Sequence, residues 1–165
     1  MYFVKILENS DPDIANVKSL ISRNPEISVD ARFSLPVVLV PTEAGQVLAV
    51  SRWVCHRQTL ADELMDLWLR QNKAEILSLC AEFGKFMRQW ITDYHGRISH
   101  NDCTPTNVLI TDDRKFVLVD CLAMDDQTVN DDLNSFIRAI DFLSTIWPQE
   151  FTQLVYNGFF SGVNS

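Results

Sequence analysis

An amphipathic segment in the middle of the chain restricts the fold more than any other feature of the sequence. Its apolar residues recur at intervals of three and four: Ile76, Leu79, Cys80, Phe83, Phe86, Met87, Trp90 and Ile91. This spacing places them on one face of a long α-helix, which must bury that face against other elements. Because 47% of the 165 residues are hydrophobic, the chain can build one core around such a helix.

The sequence before this helix has the pattern of strands. Three short apolar runs predict three strands, at residues 2–7, 35–40 and 47–50. The turn-like residues 41–45 predict a hairpin between the second and third strands. Helical spacing at residues 14–21 predicts a helix after the first strand, and Asn24-Pro25-Glu26 predicts the start of another, with Asn24 as its cap.

From Thr59 onward the predicted elements are helices with one interruption. Thr59 caps a predicted helix ahead of the long one, and two more helices are expected at about residues 131–146 and after Pro148. The interruption is a pair of short apolar runs, at 108–110 and 116–119, joined by polar residues in the manner of a hairpin. This order predicts an α+β fold in two lobes.

Charge and cysteine spacing exclude several classes of protein. The chain has 14 basic and 22 acidic side chains, a formal net charge of -8, so a large surface for nucleic acid is not expected. Its cysteines, at positions 55, 80, 103 and 121, never form a CxxC pair and are predicted to be free thiols.

No apolar run is long enough to span a membrane, and no signal peptide is evident. We expect a cytoplasmic protein, with delivery elsewhere by a dedicated secretion system left open.

The candidate chemistry lies in residues 100–107, His-Asn-Asp-Cys-Thr-Pro-Thr-Asn, and in Asp120. Asp102 and Asn107 are five residues apart in a loop constrained by Pro105. Asp120 follows the second strand of the predicted hairpin, where it can meet Asn107. Phosphoryl transfer from ATP needs metal ions at the phosphates, a carboxylate for the attacking hydroxyl and a cation on the phosphates. This segment can supply the carboxylate and the metal ligands.

The string SHNDCTPTNVLITDDRKFVLVDCL resembles the catalytic loop and metal-binding segment of the protein-kinase-like superfamily, HxDxxxxN followed by a hairpin and Asp. The proline at the third position after the aspartate is especially similar to aminoglycoside phosphotransferases. The resemblance implies that Asp102 is the catalytic base and that Asn107 and Asp120 bind Mg²⁺. It implies a structural role for His100 and for Asp131, with Asp132 as the alternative, in bracing the loop.

The upstream sequence extends the resemblance. Residues 3–6 resemble the kinase strand whose lysine, here Lys5, holds the ATP phosphates. Residues 48–54 resemble the hinge, which implies that Arg52 and Val54 lie at the nucleotide, with Trp53 beside adenine. Glu26 is the best candidate for the carboxylate that positions Lys5; Glu8 and Asp30 are its rivals.

Several features depart from the superfamily pattern. The chain opens on the lysine strand and contains no GxGxxG loop, and Cys121-Leu122 stands where protein kinases have Phe-Gly. Asn101 replaces the arginine that pairs with a phosphorylated activation loop, and about ten residues separate Asp120 from the next helix. Regulation by phosphorylation of that segment is therefore not expected.

These observations predict one bilobal, kinase-like α+β domain over residues 1–165. Residues 1–54 would form a reduced N-terminal lobe with the hinge, and 55–165 a mainly helical lobe. The predicted function is ATP- and Mg²⁺-dependent phosphoryl transfer to a hydroxyl of a protein, sugar or small molecule. Two alternatives stay open, a binding module without catalysis and a fragment of a longer kinase.

Overall fold

The computed structural model describes residues 1–126 and 130–165. The strands are β1 (Tyr2–Glu8), β2 (Pro36–Pro41), β3 (Gln46–Arg52), β4 (Gln58–Thr59), β5 (Val108–Ile110) and β6 (Phe116–Leu118). The helices are α1 (Pro12–Arg23), α2 (Leu60–Leu69), α3 (Lys73–Asp93), α4 (Asp132–Leu143) and α5 (Gln149–Val163). Short 3-10 turns occupy Pro25–Val29, Pro105–Asn107 and Cys121–Ala123. The predicted α+β class is confirmed, with two small sheets and several helices.

The first sheet has the strand order β1-β3-β2 and is antiparallel throughout. Lys5 lies opposite Ala49 and Leu7 lies opposite Val47. Leu7, Val47 and Ala49 are buried, whereas Ile6 is exposed, so the sheet has one face toward the core and one toward solvent. Because side chains alternate along a strand, Lys5 lies on the same face as Leu7 and is directed toward the rest of the protein.

Helix α1 follows β1 directly and packs on the core through Ile14, Val17 and Leu20. Asp11 caps it by accepting a hydrogen bond from the amide of Asp13 at 3.0 Å. The predicted helix after Asn24 is only a 3-10 turn, and the side chain of Asn24 does not cap it. Pro25 suits the first position of either structure, which is why the local sequence did not distinguish them.

Helices α3 and α5 pack against each other along their lengths. Three glycines permit this close approach: a Cβ atom on Gly84 would lie 2.3 Å from the Phe159 carbonyl oxygen, and one on Gly162 would lie 2.0 Å from that of Ala81. A Cβ atom on Gly158 would lie 2.7 Å from the Leu77 carbonyl oxygen. The predicted long helix is therefore confirmed, with its apolar face buried.

The second sheet has the strand order β4-β5-β6 and contains the predicted hairpin. It is joined to the segment that precedes β2, because Ser34 N donates to Leu118 O and Leu118 N donates to Arg32 O, both at 2.8 Å. This contact brings the end of β6 next to the first sheet. Within the two described ranges, no helix has the length and apolar character required to cross a bilayer.

Candidate active site

Residues 100–107, here called the catalytic loop, are held at their start by Asp132. This side chain is completely buried and accepts hydrogen bonds from the amides of His100 and Asn101, both at 2.9 Å, and from Ser99 Oγ at 3.1 Å. Burial raises the pKa of Asp132, while these hydrogen bonds oppose the increase. The assignment of Asp131 to this role was wrong. Asp131 is exposed and pairs with Arg138 at 2.9 Å, because adjacent residues at the start of α4 point in different directions.

His100 connects the catalytic loop to the residue before Asp120. Its ring is fully buried, and Nε2 lies 2.9 Å from Val119 O. A carbonyl can only accept, so Nε2 carries the proton and donates. Burial lowers the pKa of His100 despite the opposing charge of Asp132, and the ring is therefore neutral. This contact is consistent with the structural role that the resemblance implies for His100.

Asp102 and Asn107 meet across the catalytic loop. Asn107 Nδ2 donates to Asp102 Oδ2 at 2.7 Å and to Asp102 O at 3.0 Å. The backbone oxygen of Asn107 accepts from Val119 N at 2.9 Å, which places this pair beside the segment leading to Asp120. Asp102 is exposed and Asn107 is half-buried. Both side chains can therefore reach a molecule in solution.

Asp120 lies opposite Lys5 despite the 115 positions between them. Lys5 Nζ is 2.7 Å from Asp120 Oδ1, and the two side chains are 40% and 42% exposed. Asp120 has a left-handed backbone, with φ of 56° and ψ of 45°, where the chain turns from β6 into the 3-10 turn at Cys121–Ala123. Such a conformation is uncommon for residues other than glycine, although Asp and Asn tolerate it best, and it often marks functional sites.

Helix α1 contains one carboxylate, that of Asp13, which was not among the predicted site residues. Burial and the charges of Asp11 and Asp120 raise the pKa of Asp13, whereas Lys5 lowers it, so Asp13 lies within electrostatic range of both Lys5 and Asp120. Glu26, by contrast, is exposed on the 3-10 turn. Among the described residues it forms no ion pair with Lys5, and the pairing predicted for it was wrong. Glu26 follows α1 in the sequence, so the full length of α1 separates it from β1.

A cavity of about 340 Å³ opens beside the Lys5–Asp120 pair. Both residues line it, together with Arg52 and Val54 from the predicted hinge. Most of the remaining lining is apolar or aromatic, including Phe3, Pro36, Ala49, Trp53, Leu109 and Leu122. A largely apolar cavity of this volume with a few charged groups at one side is typical of a site for a small molecule. His56 also lines the cavity, where its Nδ1 donates to Val54 O at 2.9 Å.

The residues predicted to bind Mg²⁺ have suitable donor atoms. Lys5 contacts Asp120 through Oδ1, and Asn107 uses its amide nitrogen to reach Asp102, so its Oδ1 atom is not committed to that bond. Carboxylate and amide oxygens are the hard ligands that Mg²⁺ prefers. Within the described parts of the chain no group of three His, Cys, Asp or Glu could form a metal cage.

The comparisons with known proteins support the fold. No protein-family model matches the chain, and no curated protein sequence does so. Among solved structures, it is similar to WaaP in complex with acyl carrier protein, with a TM-score of 0.57 and 17% sequence identity. The match covers 96% of this chain and 69% of the WaaP chain. At this identity the likeness concerns the fold alone, so the chain has an α+β fold similar to that of WaaP.

Proposed function

We propose that this chain is a phosphotransferase that uses ATP and Mg²⁺ to phosphorylate a hydroxyl group. The observation that carries the proposal is the contact at 2.7 Å between Lys5 and Asp120 at the edge of an apolar cavity. A pair as exposed as this one contributes little to stability. In an open cleft, Lys5 can therefore leave Asp120 to bind a phosphate group, and Asp120 can leave Lys5 to bind a metal ion, at a small cost in free energy.

The proposal gives each residue of the cleft a role. Lys5 binds the α- and β-phosphates, and the apolar lining near Trp53 and Val54 encloses the adenine ring. Asp120 and Asn107 provide oxygen ligands for Mg²⁺. When bound, the ion neutralises phosphate charge during transfer. Asp132 and His100 hold the catalytic loop and the Asp120 segment in register, without contacting the substrate themselves.

Asp102 is proposed to orient and deprotonate the acceptor hydroxyl. Its Oδ2 atom accepts a hydrogen bond from Asn107, so Oδ1 is the atom proposed to accept from the hydroxyl. The exposure of Asp102 allows an acceptor to approach from solution. The acceptor remains a hydroxyl of a protein, a sugar or another small molecule. The division into a lobe of residues 1–54 and a lobe of 55–165, with the cleft between them, is part of the same proposal.

A transfer assay with labelled ATP and Mg²⁺ tests this function. The wild type, Asp102→Asn and Asp120→Asn are scored for phosphate on the chain itself, on a cell lysate and on a panel of sugars. General-base catalysis is typically worth about 10²- to 10⁴-fold, so Asp102→Asn should lose transfer by a factor in that range while still binding nucleotide. Asp120→Asn should lose both. Asp112→Asn, an exposed aspartate in the β5–β6 turn, is the matched control and should retain activity.

Nucleotide binding, measured separately through the tryptophan fluorescence of the chain, distinguishes the alternatives; of the four tryptophans, Trp53 lines the cavity and is the one expected to respond. Transfer that survives in both cleft variants would refute the roles proposed for Asp102 and Asp120. Binding of ATP by the wild type without transfer to any acceptor would identify a binding module instead. A wild type that binds no nucleotide would contradict both functions.

A further inference from the structure

The C-terminal end of α1 is fastened to the segment that follows Asp120. Asp126 accepts hydrogen bonds from the guanidinium of Arg23 through Oδ1 and from Asn24 Nδ2 through Oδ2, the latter at 2.8 Å. Asn24 ends α1, and its Nδ2 also donates to Leu20 O at 3.2 Å. The Asp126 side chain is only 12% exposed. This contact, the α1 tether, joins residues more than a hundred positions apart in the chain.

The base of the tether is itself well held. Asp125 forms backbone hydrogen bonds with Ser99 in both directions, at 2.9 and 3.1 Å. Asn101 Nδ2 donates to Asp125 Oδ2 at 3.1 Å and to Ala123 O at 2.6 Å. Ser99 and Asn101 are two of the three residues that donate hydrogen bonds to Asp132, so the tether is connected to the start of the catalytic loop.

The N-terminal end of the same helix follows β1, the strand that bears Lys5, after only three residues. Asp13, in the first turn of α1, is within electrostatic range of Lys5 and Asp120. Between its two ends, α1 packs through its buried face against the 3-10 turn at Cys121–Ala123. Packing of apolar side chains alone permits small shifts of a helix, of about 1 to 2 Å. A bidentate polar contact at one end fixes the axial position more strictly, since hydrogen bonds require specific distances and angles.

We infer that Asp126 is a positioning residue, which sets the place of α1 and thereby of Asp13 beside Lys5 and Asp120. The inference rests on the proposed function, because it concerns the site for the ATP phosphates. Its loss should weaken binding of ATP and Mg²⁺ more than it slows transfer from the bound state.

A double-mutant cycle tests the tether with Asp126→Asn, Arg23→Gln and the combined variant. Each single variant should raise KM for ATP by about threefold to tenfold, the range expected for residues coupled through one contact, with kcat changed by less than about twofold. KM for ATP in the combined variant should be no higher than in the weaker-binding single variant, because both changes break the same contact. Glu150→Gln, which breaks the exposed Lys73–Glu150 pair between α3 and α5, is the matched control and should leave both constants unchanged.

The outcomes separate this inference from the proposed function. An active wild type whose KM is unchanged in every tether variant would overturn the inference and leave the function intact. A fall in kcat at constant KM would also overturn it, since that result indicates a smaller folded fraction rather than a displaced helix. If the wild type binds ATP without transferring phosphate, the proposed function fails. The double-mutant cycle then compares the Kd for ATP with Mg²⁺ in place of KM. A wild type that binds no nucleotide would overturn both.

Discussion

Replacement of Asp132 by alanine should be among the most destabilising single changes at the candidate site. The carboxylate is completely buried and is the acceptor for two backbone amides and one hydroxyl. Alanine would leave the amides of His100 and Asn101 without this acceptor, and an unsatisfied buried donor costs about 1 to 3 kcal/mol. Ser99 Oγ can rotate toward another acceptor, so its bond adds less.

A second effect reduces this cost. Burial raises the pKa of Asp132, which means that the folded protein pays for holding the charge. Removing the carboxylate recovers part of that penalty, so we expect a net loss of about 3 kcal/mol rather than the full sum. For a protein of this size such a loss lowers Tm by roughly 6 to 12 °C. The stability of Asp132→Asn should lie between that of the wild type and that of Asp132→Ala. The amide oxygen of asparagine can still accept one hydrogen bond, whereas its NH₂ group faces a donor.

Urea unfolding followed by tryptophan fluorescence measures the effect, and Asp131→Asn is the matched control. Asp131 is the neighbouring aspartate, exposed and paired only on the surface of α4 with Asn134 and Arg138. Its substitution should leave the unfolding midpoint unchanged. Equal midpoints for the Asp132→Ala and Asp131→Asn variants would refute the assignment of the loop anchor to Asp132.

Three further predictions concern the packing, the pH dependence and the cleft. Gly162→Ala should destabilise the protein by about 1 to 3 kcal/mol or more, because its Cβ would collide with Ala81 O, whereas Ser161→Ala should have little effect; thermal unfolding of both variants decides this. The pKa of His100 is lowered in the folded state, so the unfolded chain binds this proton first as pH falls below about 6.5. The free energy of unfolding should therefore decrease with falling pH, toward a slope of about 1.4 kcal/mol per pH unit. Urea titrations at pH 5.5 to 8 should show this decrease in the wild type, and His100→Gln should remove the contribution of His100. Lys5→Met should change the free energy of unfolding by less than about 1 kcal/mol, since its ion pair is exposed, while nucleotide binding monitored by fluorescence should be lost; retention of binding would contradict the role of Lys5.

The elements that the sequence predicted well are those with a clear local pattern. The long helix contains enough residues for a period of 3.6 to be recognised, whereas the three strands of the first sheet and the β5–β6 hairpin were predicted from short apolar runs bounded by turn residues. Strand β4 has only two residues, and its pairing with β5 comes from tertiary contact, so no periodicity could reveal it. The turn at Pro25–Val29 was predicted to be the start of a helix for a related reason. A cap signal marks where a helical turn begins and carries no information about its length.

The candidate site was predictable where its residues are close in sequence. Asp102, Asn107 and Asp120 were named from the resemblance of one continuous segment to a known motif, and the contact between Lys5 and Asp120 agrees with their predicted use of one cleft. The choice between Asp131 and Asp132 depended on the helix face. Asp132 precedes the buried residues Phe136 and Ile140 at intervals of four, so the apolar stripe of α4 already contained the signal for the inward aspartate.

Which helix carboxylate lies near the Lys5–Asp120 pair could not be read from charge pattern alone. Asp13 and Glu26 both lie in the first turn of a helical segment, and both are therefore reasonable carboxylates for a nearby lysine. What separates them is the connection: only three residues lie between β1 and α1, which keeps the start of α1 near the strand that bears Lys5. Three residues can extend only about 10 Å, and such short connections restrict position more strongly than helix propensity does.

The structure separates a buried frame from an exposed set of side chains to which the proposal gives the chemistry. The frame consists of Asp132, which holds the amide of His100, and of the His100 ring, which holds Val119 next to Asp120. The exposed set consists of Lys5, Asp102 and Asp120, whose contacts with one another and with Asn107 are accessible to solvent. Buried hydrogen bonds are costly to lose, whereas exposed ion pairs are not. Variants of the frame should therefore fail by unfolding, and variants of the exposed set should remain folded, so that a loss of phosphoryl transfer in the exposed set can be attributed to the chemistry of the cleft.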